Sequence, residues 1–286
     1  MAAPTTTRKT IREKSAASLG CYITGVLTGT PTTTVARSPF IADYVADTER
    51  LQDWYFWHGT QGWRRVATYE LTNYDVTLAR ALGTAPAGAD TVAYYSLLNP
   101  DEWNDALDEA LQELYYLEAI TVTLVNSQNR YDLTTTNTWL LHKGQVVGVY
   151  LRDISDGVNN IKEYGAPAWR LPEEAGVVYL YLPIMPGDVT NIRAIVYARR
   201  YYGTMAADTD TTTAPLALIM AGLRHKALEK IYHLFGERAK KMFGNELGLA
   251  EKRYTEMRER HLPRIAQFTP HQVEPNLVDD EFSWTW

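Results

Sequence analysis

The sequence predicts an α+β protein with a three-helix bundle core, made of one central and two C-terminal helices. A β-sheet insertion and a separate N-terminal small β domain complete the predicted fold. Residues 100–117 and two segments within 212–262 carry apolar residues at three- and four-residue steps, the period of a helix with one buried face. Residues 20–97 and 119–203 are instead rich in β-branched and aromatic residues between turn formers, a pattern typical of strands.

The central helix has a strong start signal. Asn99 is a capping residue, Pro100 suits the first helical position, and Glu102 completes an Asn-based capping box. Asp101, Glu102 and Asp105 place negative charge where the helix dipole favours it. The predicted apolar face consists of Trp103, Ala106, Leu107, Ala110, Leu111, Leu114 and Leu117.

The two C-terminal helices are separated by Gly236, and Pro263 ends the second. So short a linker predicts an antiparallel hairpin or a bent continuous pair. Neither helix can bury its apolar stripe alone, so we expect the central helix to cover both. The stripes are Leu216, Ile219, Leu223, Ala227, Ile231 and Leu234 in the first, and Ala239, Met242, Phe243, Leu247, Ala250, Tyr254, Met257 and His261 in the second.

We therefore predict four regions. Residues 1–19 are an N-terminal arm, whose Arg8, Lys9, Arg12 and Lys14 are either solvated, on a short first helix, or in contact with an acidic neighbour. Residues 20–97 are the small β domain, similar to a barrel or sandwich. Residues 98–262 are the helical bundle with its β insertion at 119–203, and residues 263–286 are an extended docking tail.

The tail is unusual because it ends on aromatic residues. It contains three prolines and the acidic trio Asp279–Glu281, and its last five residues include Phe282, Trp284 and Trp286. A solvated disordered tail is poor in aromatic residues. We therefore expect this one to dock on its own fold, on a copy of itself, or on another protein.

Composition excludes several classes of protein. A net charge of −6 argues against a sequence-independent DNA binder, which needs clustered Lys and Arg. One cysteine, Cys21, rules out an intramolecular disulfide framework. The sequence has no run of apolar residues long enough for a membrane span, and we expect no membrane association. The 19 Tyr and 8 Trp suit either half-buried strands or protein interfaces.

No pattern points to catalysis. The six histidines are scattered without metal-ligand spacing, and His225 and His233 are interpreted as helix-surface residues. Nucleophile-elbow, phosphate-loop and dinucleotide-binding motifs are absent from the sequence. We therefore expect no enzyme activity, no catalytic residues, no cofactor and no metal.

One aromatic cluster leaves two interpretations open. Trp54, Trp57 and Trp63 flank a Gly-containing turn. They are either the packed centre of the first β domain or an exposed surface that stacks on sugars.

The order of elements resembles the head-to-tail adaptor (connector) proteins of tailed bacteriophages. A central helix beginning PDEWNDALDEAL is followed by a β region containing YDLTTTNTWL, then by the strand IRAIVYARRYYG, a Thr-rich loop and paired helices ending EKRYTEMRERH. The resemblance covers about residues 99–262 and contains no signature of invariant residues. Residues 20–97 look like the small β modules of phage virion proteins, and the smallest adaptors lack such a module.

The resemblance implies a structural virion protein of the phage neck, made in the host cytoplasm. It implies a homo-oligomeric ring, usually a dodecamer, in which subunits meet through heterologous contacts. The ring binds the portal protein and the next tail or neck protein, and forms part of the channel through which genomic double-stranded DNA passes without specific binding. Terminal extensions commonly reach the portal, and the matching candidates are Phe268, Phe282, Trp284 and Trp286.

Two alternatives remain open at this point. One is another neck, collar or tail-terminator ring protein. The other is a glycan- or receptor-binding module that uses the aromatic residues between Trp54 and Trp63.

Overall fold

The computed structural model describes residues 6–45, 51–154, 162–166, 168–183 and 189–261. They form two compact units. The first comprises Met1–Leu114 and Gly203–His261, and the second contains Tyr115–Tyr202. The second unit is thus an insertion in the chain of the first.

The helices and strands of the described residues follow one another from β1 to α5. In chain order they are β1 Thr6–Thr7, α1 Arg8–Ser18, β2 Tyr22–Val26, β3 Val35–Arg37, β4 Tyr55–His58, β5 Gly62–Glu70, β6 Asp75–Leu78, β7 Thr91–Tyr95, α2 Pro100–Gln112, β8 Tyr115–Thr123, β9 Arg130–Asp132, β10 Val146–Asp153, β11 Lys162–Gly165, β12 Glu173–Glu174, β13 Val177–Tyr181, β14 Ile192–Tyr201, β15 Thr211–Thr212, α3 Leu216–Phe235, α4 Glu237–Phe243 and α5 Glu246–His261. Short 3-10 helices lie at Pro39–Asp43 and Lys143–Gln145.

The first unit contains a six-stranded antiparallel sheet in the order β2-β7-β4-β5-β6-β3. One face packs on a hydrophobic cluster that includes Leu27, Phe56 and Tyr94. The other face is also covered at its centre, because residues Val92–Tyr95 of β7 are all buried. Alternate residues of a strand point to opposite faces, so four consecutive buried residues require packing on both sides.

Helices of the same unit cover this second face. α1 packs against β2, α2 and α3, and α3 packs in turn against α2 and α5. The predicted start of α2 is confirmed: the Asn99 side chain accepts from the backbone N–H of Asp101 and Glu102, each at 2.9 Å. The Glu102 carboxylate completes the capping box by accepting from the backbone N–H of Asn99 at 2.7 Å.

The predicted fold class is wrong. The protein is a mixed, sheet-rich chain whose described residues form four sheets and five α-helices, and its core is not a three-helix bundle. The second C-terminal helix is broken at Gly244, whose φ is 55°, so that α4 and α5 are separate helices. The buried residues of α5 are Ala250 and Tyr254, while Leu234 and Met242 of the predicted stripes are 55% and 54% exposed.

The predicted separate N-terminal β domain is also wrong. Its sheet belongs to one compact unit with the helices. α1 packs against β2, and the Trp63 indole of β5 donates to Asp101 of α2. Residues 1–19, predicted as an arm, contain α1, in which Ile11, Arg12 and Ala16 are fully buried. Thr212 pairs with Thr6 between β15 and β1, and α3 begins after Pro215.

The second unit agrees with the predicted β insertion. A four-stranded antiparallel sheet has the order β11-β10-β14-β8, and a three-stranded sheet has the order β12-β13-β9. The two sheets share a hydrophobic cluster that includes Val149, Val178, Leu180 and Val196. The predicted strand IRAIVYARRYYG is confirmed over Ile192–Tyr201 as β14, and Val177–Tyr181 forms β13.

Candidate interaction surfaces

The predicted partner-binding residues of the tail lie outside the described residues. They are Phe268, Phe282, Trp284 and Trp286. The candidate surfaces described below belong to the two units.

The three tryptophans of the predicted aromatic surface do not lie together on one face. Trp57 of β4 and Trp63 of β5 are paired directly across the hairpin, and the Trp63 ring meets Tyr55 edge-on at 5.3 Å. Trp54 instead packs against the hydrophobic cluster on the other side of the sheet. All three are half-buried.

Helices α1 and α2 contact the face that carries Trp57 and Trp63. The Arg12 guanidinium lies over the Trp57 ring, 5.1 Å from its centroid, and the Trp63 indole N–H donates to Asp101 at 2.8 Å. A sugar stacks on a free aromatic face, and the Trp57 face is occupied by this cation. These contacts favour the packed interpretation of the cluster over the sugar-binding one.

Arg12 is the centre of a buried polar network that the sequence analysis missed. It is fully buried and makes a bidentate ion pair with Asp208, at 2.7 and 2.9 Å. Its other donors reach the Asn104 side chain at 3.0 Å and the Tyr95 hydroxyl at 3.1 Å. Burial opposes the charge on Arg12, but the hydrogen bonds and charges of Asp208 and Tyr95 raise its pKa above the ordinary value.

A second arginine of α1 ties down the segment before α3. Arg8 donates to the Ala206 carbonyl at 2.7 Å and to Asp108 at 3.2 Å, and Asp108 also accepts from the Met205 backbone N–H at 3.0 Å. The basic residues of the predicted arm therefore do contact acidic groups, but those of their own chain. No local pattern in the sequence distinguishes a buried arginine from a solvated one, so the partners could not be predicted.

His58 lies in a chain of three polar groups beside the β4–β5 turn. Its Nε2 is 3.0 Å from the Asp90 carboxylate, and its Nδ1 is 3.3 Å from the Thr60 hydroxyl. Asp90 also accepts from the Ala87 backbone N–H, and this bond, followed by that from His58, lowers the pKa of Asp90. The group links the turn to the loop before β7, which gives it a structural role.

A third polar cluster joins α2, α3 and α5. Glu113 at the end of α2 accepts from Lys226 at 2.7 Å and from the Tyr254 hydroxyl at 3.1 Å, and Arg258 lies 3.7 Å away. Burial alone raises the pKa of Glu113, but the hydrogen bond and charge of Lys226, with smaller effects of Tyr254 and Arg258, lower it overall. The helices thus meet through charges as well as apolar contacts.

The two helical histidines differ in their surroundings. His225 is buried on α3 and its ring lies 5.7 Å from that of Tyr254, so the helix-surface interpretation is wrong for this residue. His233 is exposed, as predicted.

The second unit carries a surface rich in tyrosine and arginine. It is the side of the four-stranded sheet opposite the hydrophobic cluster, and we call it the Tyr/Arg face. Tyr150 and Tyr197 pack edge-on at 5.5 Å, Tyr115 and Tyr201 at 5.8 Å, and the Arg199 guanidinium lies 5.3 Å from the Tyr115 ring. These residues are half-buried except Tyr201, which is exposed. Tyr and Arg are enriched at protein interfaces, so this face is a candidate interaction surface.

The edge of the same sheet is a second candidate surface. β8 is nine residues long, and its neighbour among the described strands is β14 alone. The outward backbone groups of an edge strand can pair with a further strand. Because β8 has no charged residue except Glu118, it lacks the usual protection against such pairing.

No metal site emerges from the described part of the chain. It contains no group of three His, Cys, Asp or Glu side chains placed to hold a metal ion. A hollow lined by Leu124, Tyr131, Leu182 and Val189 encloses about 10 Å³, which is at most the space of one water molecule. None of the described helices is both long and apolar enough to cross a membrane.

No family model matches the sequence, and no curated protein matches it.

Proposed function

We propose that this chain is a structural virion protein, the head-to-tail adaptor whose ring attaches to the portal and joins it to the tail. The observation that carries the proposal is the β insertion. Tyr115–Tyr202 forms a compact β unit between α2 and α3, and these two helices pack together in the other unit. This order of elements is the basis of the resemblance to phage adaptors.

The interaction surfaces support an assembly role. A ring subunit meets its neighbours through two different surfaces, one on each side. The Tyr/Arg face and the open edge of β8 have the composition and the backbone groups that such contacts use. The net charge of −6 suits a channel past which DNA moves without binding.

The tail supplies the contact with the portal in this proposal. Phe282, Trp284 and Trp286 are the anchors, because aromatic residues dominate binding energy when a partner buries them. The partners are further copies of this chain, the portal protein and the next neck or tail protein. The site of action is the neck of the virion.

Deletion of residues 268–286 tests the proposal. We expect the shortened chain to keep the circular dichroism spectrum of the full chain but to lose attachment to portal rings encoded by the same genome. Substitution of exposed Tyr44 with serine is the matched control, because it removes one accessible aromatic ring from the described surface and leaves the tail intact. Full portal attachment by the shortened chain would contradict the assignment of the tail.

A further inference from the structure

The open edge of β8 has a partner-binding geometry of its own. On the Tyr/Arg face, the C-terminal half of β8 presents the short, exposed side chains of Ala119, Thr121 and Thr123. The one charge of the strand, Glu118, points to the opposite face and is held by Arg200 at 2.8 Å. The result is an uncharged lane of small residues, which we call the β8 lane.

Larger side chains of β14 form one side of this lane. In the register of the sheet, Tyr197 lies opposite Ala119 and Ile195 lies opposite Thr121. A strand added at the outer edge of β8 would place alternate side chains beside the lane, within reach of cross-strand contacts. Large aromatic residues at those alternate positions would fill the space that the small residues leave.

The C-terminal segment of this chain has that pattern. In residues 279–286 (DDEFSWTW), Phe282, Trp284 and Trp286 alternate with Ser283 and Thr285. In an extended strand the three aromatic side chains share one face. They span about 13 Å, the same length as the lane from Ala119 to Thr123.

The charges of the segment are complementary to those of the sheet. Its acidic residues, Asp279–Glu281, directly precede the aromatic residues. Arginines of β14 lie at both ends of the lane, since Arg193 is opposite Thr123 and Arg199 is opposite Leu117. Whether the added strand runs parallel or antiparallel to β8, its acidic end therefore lies near one of these arginines. The buried Nε of Arg199 has no hydrogen-bond partner among the described residues.

The path of the chain favours its own tail over that of another copy. The proposed strand is covalently joined to the end of α5 by residues 262–278. Residues 262–278 can extend to roughly 55 Å, whereas β8 spans about 30 Å. A short tether of this kind gives an effective concentration on the order of millimolar, above the working concentration of a second copy.

We propose that residues 279–286 bind the open edge of β8 in their own chain, as a fifth strand of the four-stranded sheet. Main-chain hydrogen bonds provide the binding energy, and the three aromatic side chains beside the β8 lane fix the register. This proposal does not depend on the adaptor assignment. If the tail also anchors the chain to a portal, it must first leave β8. In a free subunit, the aromatic residues of the tail and the edge of β8 therefore cover each other.

Amide hydrogen exchange of the isolated chain tests the proposal without any portal protein. We expect the outward-facing amides of β8 to exchange about tenfold faster or more in a chain that ends at Val278 than in the full chain. A free peptide of residues 279–286 should restore the protection. Unchanged exchange in β10, residues Val146–Asp153 of the same unit, shows that the second unit of the shortened chain is folded.

Substitutions separate the aromatic anchors from the rest of the tail. The triple change Phe282→Ser, Trp284→Ser and Trp286→Ser should expose β8 as fully as the deletion, while Phe268→Ser, which lies outside the strand segment, should leave it protected. Equal exchange of β8 with and without the tail would overturn the proposal. So would protection that appears only at concentrations where the chain oligomerises, because it would assign the strand to a second copy.

Discussion

Replacement of Arg12 with methionine tests whether the buried network of α1 holds the first unit together. Methionine keeps most of the apolar stem but removes the donors to Tyr95, Asn104 and Asp208. Breaking a buried ion pair costs about 3–5 kcal/mol, because the remaining partner is left uncompensated. The Asp208 side chain is 30% exposed and can regain water, so we expect about 3 kcal/mol, at the lower end of that range.

Urea unfolding followed by tryptophan fluorescence measures this loss, since Trp57 lies directly beneath Arg12. Arg65→Met is the matched control. Its ion pair with Asp53 joins side chains that are 58% and 62% exposed, and exposed pairs contribute about 0–1 kcal/mol. If the two variants lost the same free energy of unfolding, the reasoning about the buried network would be refuted.

Three further predictions concern the same unit. Asn99→Ala should cost about 1 kcal/mol, because α2 loses its capping side chain. Gly88→Ala should cost about 1–3 kcal/mol, since a Cβ there would clash with the Gly29 carbonyl oxygen, whereas Gly59→Ala meets open space and should be nearly neutral. Glu113→Gln should lower stability at neutral pH and flatten its decline in acid. A carboxylate whose pKa is lowered by folding contributes stability above its ordinary pKa of 4.5, and that contribution is lost as pH falls through the folded-state pKa.

Chemical unfolding at neutral pH measures the first two effects, and thermal unfolding over a series of acidic pH values measures the third. Equal stability of the Gly88→Ala and Gly59→Ala variants would contradict the close approach of the two loops. A Glu113→Gln variant with the same acid dependence as the parent chain would show that other carboxylates govern it.

Local signals in the sequence were sufficient to predict several elements. The capping box fixes the start of α2 through hydrogen bonds of the Asn99 and Glu102 side chains. The position of this helix start is therefore readable from a few neighbouring residues of the sequence. The sequence predicts β14 because its β-branched and aromatic residues form a long run. Each of these features depends on residues close together in the chain.

The fold class failed because periodicity shows that a helix has an apolar face, not what covers it. The predicted second C-terminal helix is interrupted where Gly244 adopts a positive φ, and residues such as Met242 remain exposed. Conversely, the first helix has few apolar residues, yet its Arg12 is fully buried by partners about 90 and 200 residues away. Such tertiary pairing leaves no local signal.

The candidate surfaces show the same limit. The sequence predicted an aromatic cluster at Trp54, Trp57 and Trp63, but the alternation of strand faces and the approach of α1 separate and cover its members. The open edge of β8 depends on strand order, which single-strand patterns do not encode.

The measurement that tests the central claim most directly is the mass of the purified full chain in solution, alone and with portal rings added. The adaptor assignment predicts either a large closed ring or a monomer that joins the portal as a ring of about twelve copies. A stable monomer or trimer that ignores the portal would contradict it.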